Sequence, residues 1–186
     1  MMKRIHIMGA SGAGTTTLAR AFAEKTGYAH FDADDYYWVP TPIRFTEKRR
    51  PEERNGMLQK DLEKVLAWVL SGSMCRWGDP WRPDFELVVY LSLPQDVRMQ
   101  RLAERERQRY GAEIEPGGSR HALHNEFMEW AKQYDEAGPH MRSRALHEAW
   151  FAGLDCPVLR IEGDLTVVER LGILLQRIGA SEGGAR

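Results

Sequence analysis

The chain has 186 residues, of which 42% are hydrophobic and 28% charged, and its formal net charge is −1. That length and balance suit a single folded domain with its own core, and exclude fibrous and disordered classes. A near-neutral charge argues against a general nucleic-acid binder, which needs a net basic surface to displace counterions, so any anion site must be local.

Short apolar runs alternate with amphipathic helical patterns, the signature of a parallel sheet with helices on both faces. "RIHIM" (4–8) reads as a first strand and "TTTLARAFAEKTG" (15–27) as a helix with Leu18 and Phe22 inward and Gly27 as its stop. "YAHFDADD" (28–35) gives a second strand ending in acid. Pro51, Glu52 and Glu53 open a helix that carries Leu58, Leu62, Val65 and Leu66 on one face. "WVLSGS" (68–73) follows as a third strand and "FELVVYLSLP" (85–94) as a fourth, strongly buried one. From Pro94 to Tyr110 an arginine-rich helix leads into a loop over 111–118. Ser119 is placed to cap the next helix, whose Leu123, Phe127, Trp130, Ala131 and Tyr134 recur at helical spacing and read as core. Gly138 and Pro139 end it. A short helix (141–152), a fifth strand "PVLRIEG" (157–163) and a helix opened by the capping box of Thr166 and Glu169 complete the chain. The body is expected to occupy 1–180, with a flexible tail over 181–186.

Two cysteines, Cys75 and Cys156, suggest neither a disulfide framework nor a zinc site and read as buried thiols. His121 and His124, three apart on one helix face, read as surface rather than as a metal pair. No apolar run is long enough for a secretory signal or a membrane span, so a cytoplasmic protein is expected.

The stretch "IMGASGAGTTTLAR" (7–20) carries the first chemistry. A strand entering a glycine-rich turn that opens a helix aims backbone N–H groups and the positive end of the helix dipole at one spot. Gly9, Gly14 and Thr16 fit the phosphate-loop template G-x-x-x-x-G-K-[ST], but Thr15 stands at the lysine. The cradle from Gly9 through Ala10, Ser11, Gly12, Ala13, Gly14, Thr15, Thr16 and Thr17 is built from backbone, and losing the lysine removes one cation, not the nest. The G-x-G-x-x-G spacing of a dinucleotide turn is absent.

On this loop and its flanking elements the chain resembles P-loop kinases of the nucleoside, nucleotide and shikimate kinase superfamily, and adenylate-kinase-like ATP-binding proteins with "GASG-G-TTTLA" loops. The resemblance implies a three-layer α/β P-loop NTPase fold, a five-stranded parallel sheet ordered 2-3-1-4-5, and a helical lid near 105–120. It also implies ATP with Mg²⁺ and a small-molecule acceptor; the charge and the short apolar runs point to no nucleic-acid or membrane partner. "FDADDYYW" (31–38), at the carboxyl end of the second strand, resembles the F-D-S-D segment of shikimate kinases. Asp34 is thereby assigned the acceptor proton and Asp32, with Thr16, the Mg²⁺. The other reading of these aspartates is a helix N-cap with first-turn acids.

Nucleotide kinases often end the third strand in an aspartate, where this chain has Ser71-Gly72-Ser73. These residues are candidates to face the acceptor, and Asp79 is a candidate replacement acid. Arg98, Arg101, Arg105 and Arg109 share one helical face, and the resemblance gives Arg101, Arg105 and Arg109 the clamping of the transferred phosphoryl group. Arg142 and Arg144 are further candidates, and "RIEGD" (160–164) falls where the family lines its adenine pocket. Phosphoryl transfer to a hydroxyl or phosphate acceptor is the leading expectation. A nucleotide-binding sensor without catalysis is its rival, because the lysine and the third-strand aspartate are both missing. A metal-dependent hydrolase on the acidic cluster is a third reading. The acceptor and the oligomeric state stay open.

Overall fold

Five short apolar runs form one parallel sheet in the computed structural model, which describes residues 2–183. Strands β1 (Arg4–Gly9), β2 (Ala29–Asp32), β3 (Trp68–Ser71), β4 (Leu87–Ser92) and β5 (Val158–Glu162) lie in the order β2-β3-β1-β4-β5, as expected. Between them run α1 (Thr15–Thr26), the single-turn α2 (Ala33–Tyr37), α3 (Pro51–Leu62), α4 (Gln95–Tyr110), α5 (His121–Lys132) and α6 (Arg144–Phe151), with α7 (Val167–Gly183) last.

The period of two along each strand sorts the core into two layers. Ile5, Ile7, Val69, Val89 and Leu91 pack on one face against Leu18 and Phe22 of α1 and Leu174 and Ile178 of α7. Met8, Leu70, Val88 and Tyr90 point to the other face, where Leu58, Trp77, Trp81, Trp150 and Phe151 cover them. His6 is fully buried, bonded through Nδ1 to the Leu70 carbonyl at 3.0 Å and stacked on Phe85. Burial pushes its pKa down to about 4, so it is a neutral member of the core.

Several boundaries differ from the pattern, each for a local reason. The second strand stops at Asp32 because that carboxylate accepts the Asp34 N–H at 3.1 Å and caps α2, which places Asp34 and Asp35 in the first turn of a helix. Helix α3 ends at Leu62, where the chain tightens into i→i+3 bonds from Lys64 and Val65. That turn throws Leu66 outward, 85% exposed rather than inward, while Val65 stays against the core. The third strand ends at Ser71, before Gly72 at φ 101°. Ser119 does not cap α5: its hydroxyl donates to Glu113 instead, at 3.3 Å, and Arg120 holds the N-cap position without a side-chain bond. Part of the expected 111–118 loop is a 3₁₀ turn, Gly111–Ile114. Ser143 caps α6 through the Leu146 N–H at 3.1 Å, and Thr166 and Glu169 form the expected capping box of α7. That helix continues to Gly183, past the start of the expected tail, of which 184–186 lie outside the described residues. Among the described residues no helix is long and apolar enough to cross a membrane.

Candidate functional site

A cleft of about 1330 Å³ opens along the carboxyl ends of β1, β2 and β3, where open parallel sheets place their ligands. Its floor is the 9–17 loop. Gly14, at φ 90°, is the left-handed N-cap of α1, and no side chain caps that helix, so the first N–H groups are left for an anion in the cleft. Ala13 bonds back to the Ala10 carbonyl at 3.0 Å and is itself fully buried beneath the loop, contributing backbone only. The other loop positions, Gly9 to Gly12 and Gly14 to Thr17, line the cleft. Thr15 puts a neutral hydroxyl where the template has a cation.

Asp32 stands beside the loop. Its carboxylate accepts from Thr16 Oγ1 at 2.7 Å and from Ser71 Oγ at 3.1 Å, besides capping α2. Ser71 is fully buried and does not face an acceptor as the sequence suggested; it braces the carboxylate of the neighbouring strand, with which it is in register. β3 thus ends in a hydroxyl, and the acid beside it stands on β2. Gly72 and Ser73 do reach the cleft. Asp79 is no replacement: it accepts from buried Trp150 Nε1 at 2.9 Å and pairs with Arg82 at 2.7 Å, away from the cleft. Among the described residues no three histidine, cysteine or acidic side chains gather to hold a metal unaided. A hydroxyl and a carboxylate in contact at a phosphate cradle do fit Mg²⁺, a hard ion that keeps waters and takes its other oxygens from phosphates.

Asp34 sits further along the cleft, open to solvent through its mouth but closely surrounded by protein. That desolvation raises its pKa, with help from Asp32 and Asp35, against the charge of Arg142 and a hydrogen bond from the Trp38 indole. A carboxylate with raised proton affinity beside a binding cleft suits a general base.

The arginine stripe of α4 divides. Arg105 and Arg109 line the cleft, Arg105 bonded to Glu106 at 3.1 Å. Arg101 reaches the cleft edge while paired with Asp164. Arg98 is not a cleft residue: it is 1% exposed and donates to the Ala131 carbonyl at 2.8 Å and to Asp135 at 3.0 Å, because the first turns of α4 pack between the loop and α5. Arg144 likewise pairs with Asp135, at 2.6 Å, outside the cleft. Arg142 lies within it, its guanidinium 5.3 Å from the centre of the Trp130 ring. Arg120 and Arg170, which the pattern did not single out, also line the cleft. Of the "RIEGD" segment, Arg160 turns away to Glu148 at 2.6 Å, whereas Leu165, Thr166 and Val167 just beyond it form cleft wall.

Part of the cleft wall is aromatic. Leu123, Phe127 and Trp130 face the cleft rather than the core, the two rings stacked at 5.9 Å, while Ala131 of the same helix and Tyr134 in the 3₁₀ turn that follows it are buried as expected. Tyr37, Trp38, Phe45 and Trp77 continue the wall. From Ser73 a buried polar chain runs inward, through His147 Nε2 at 3.3 Å, His147 Nδ1 to Tyr134 Oη at 2.7 Å, and Tyr134 to Tyr90 at 2.9 Å. Burial and the Arg142 charge push His147 down to about 3, leaving it neutral. Cys75 lines the cleft, with its thiol pushed up to about 11 by burial, so it offers no nucleophile at neutral pH. Cys156 is free but only half-buried. His121 bonds the Ile114 carbonyl at 2.9 Å, and His124 is part of the cleft wall.

Known proteins share the sequence family and the fold. A family model described as an AAA domain, AAA_18, matches residues 5–122. The uncharacterized protein YqaC of Bacillus subtilis is 49% identical over 181 residues, which covers 97% of this chain and 100% of that protein. Deoxyadenosine kinase from M. mycoides, solved with bound dATP, superposes with a TM-score of 0.57 at 14% identity, covering 95% of this chain and 99% of that one. Shikimate kinase from Bacteroides thetaiotaomicron gives 0.55 at 22% identity, with coverages of 96% and 98%. A gluconokinase from Sinorhizobium meliloti gives 0.52 at 17%, with coverages of 99% and 98%. At these identities the structural likeness is one of fold. By its glycine loop, its strand order and the family model that spans most of the sheet, the chain belongs to the AAA_18 family of P-loop NTPases.

Proposed function

We propose that the protein transfers the terminal phosphoryl group of ATP to a hydroxyl or phosphate group of a small-molecule acceptor. The observation that carries this reading is the meeting, in one cleft, of the phosphate loop, the Thr16–Asp32 pair and Asp34 with its raised proton affinity. In this reading the Gly9–Thr17 loop holds the nucleotide phosphates through backbone N–H groups. Thr16 and Asp32 would hold Mg²⁺, which, when bound, would neutralise charge on the phosphate oxygens. Asp34 orients the acceptor hydroxyl and takes its proton. Arg105 and Arg109, with Arg101 at the edge, surround the moving group with positive charge, and the segment 105–120 acts as the lid. The acceptor rests against the aromatic wall, between Asp34 and Arg142. Nucleosides, shikimate-like acids and sugar acids, by the names of the structural relatives, mark the chemical range to screen.

A second reading, a nucleotide-binding module without turnover, draws on Thr15 in the lysine position and on Ser71 at the end of β3. Titration with ATP, with and without Mg²⁺, followed through the tryptophans Trp38, Trp77 and Trp130 of the cleft, tests both. The expected result is one saturable site that Gly14→Val abolishes, followed by label transfer from γ-labelled ATP in an acceptor screen. A folded protein that does not bind ATP overturns the proposal, and binding without transfer to any acceptor supports the module.

A further inference from the structure

Arg170, in the first turns of α7, is 3% exposed, and its guanidinium lies against the phosphate loop. Nη1 donates to the Ala13 carbonyl at 2.7 Å and Nη2 to the Gly163 carbonyl at 3.3 Å, while Nε is buried without a partner. Among the described residues no carboxylate lies within salt-bridge distance of it: Asp164, the nearest acid by charge interaction, pairs with Arg101, itself a second cation beside Arg170. A cation taken out of water without an anionic partner is destabilising. Such a group is retained where an anion completes it.

The place of this charge is specific. A Cβ on Gly14 would stand 3.3 Å from Nη1, so the guanidinium is one residue from Thr15, where the loop template has its lysine. The bond to Ala13 also has a geometric consequence. In a trans peptide the C=O and N–H point in opposite directions, so a carbonyl held towards Arg170 fixes the Gly14 N–H in the opposite direction.

Building on the phosphotransfer reading, we propose that Arg170 supplies, from the last helix, the fixed positive charge for the nucleotide phosphates that the loop lacks at Thr15. It acts partly through the loop backbone, as a positioning residue for the Gly14 N–H, and partly as a charge that only the polyphosphate completes.

The test is a double-variant cycle on the full chain, read as the affinities for ATP and for inorganic tripolyphosphate. Arg170→Gln removes the charge but keeps a neutral donor, and should weaken both ligands about 10- to 100-fold, the range of hydrogen bonds to charged groups. Thr15→Lys should restore most of that loss in the Arg170→Gln background yet tighten the wild type less than about threefold. A lysine at position 15 cannot mend a merely structural break, so this rescue separates charge from packing. Arg170→Gln binding both ligands within about twofold of wild type overturns the inference, as does Thr15→Lys tightening the wild type tenfold or more; the latter holds even if Arg170→Gln does not fold. A wild type that binds tripolyphosphate but not ATP would overturn the phosphotransfer reading while leaving the Arg170 cycle to be run on tripolyphosphate.

Discussion

Asp34 has surroundings that pull its carboxyl in opposite directions, and its charged neighbours can be altered. Burial and the adjacent aspartates raise its pKa, while the Arg142 guanidinium lowers it. As a general base it must be ionised, so the acid limb of kcat/KM should lie above the ordinary aspartate range, and Arg142→Gln should move that limb to still higher pH. An unmoved limb would remove Asp34 from the role. Asp34→Asn should lower kcat by about 10²- to 10⁴-fold with KM within a few-fold. Asp32, Asp34 and Thr16 were legible in the sequence because the residues at strand ends and loop starts of a parallel sheet meet at one edge. Arg170 was not, since its partner Ala13 is 157 positions away and no local pattern reports such a contact. Asp32 caps α2, the structural role that the sequence allowed, and its carboxylate also accepts from the loop threonine.

At the scale of elements, α4 shows how one helical face can serve two purposes. Spacing alone placed Arg98 with Arg101, Arg105 and Arg109, yet its first turns are wedged between the loop and α5. A Cβ on Gly12 would meet the Arg98 carbonyl at 2.7 Å, which is how closely helix and loop approach. Arg98 therefore joins α4 to α5 rather than to a ligand. Arg98→Met keeps the aliphatic stem but strands Asp135 with Arg144 alone; a loss of about 3 kcal/mol is expected, seen as a fall of about 6–12 °C in Tm. A Tm within about 2 °C of wild type would show the pair to be dispensable. The order and type of the strands were readable because a continuously apolar run of four to eight residues has few other fates in an alternating α/β chain. The facing of α5 was not. Phe127 and Trp130 have the period of a core helix, and only the position of the cleft beside α5 turns that stripe into a binding wall.

The whole molecule is electrically uneven in a way that its net charge of −1 conceals. Ten lysines and arginines line the cleft against four carboxylates, which leaves a net of seven negative charges on the rest of the chain. The field at the cleft mouth should draw in polyanions, and association should slow as salt is added. Such polarity also bears on how the molecules treat one another. Near the isoelectric point, at about pH 6.6, the basic opening of one molecule can face the acidic back of the next, with no overall repulsion to hold them apart. Solubility at that pH and low ionic strength should be poor, and ATP, by filling the opening, should clear the solution. Light scattering at pH 6.6 that falls on addition of ATP and levels off at one equivalent per chain is the expected result, and scattering indifferent to ATP would contradict it.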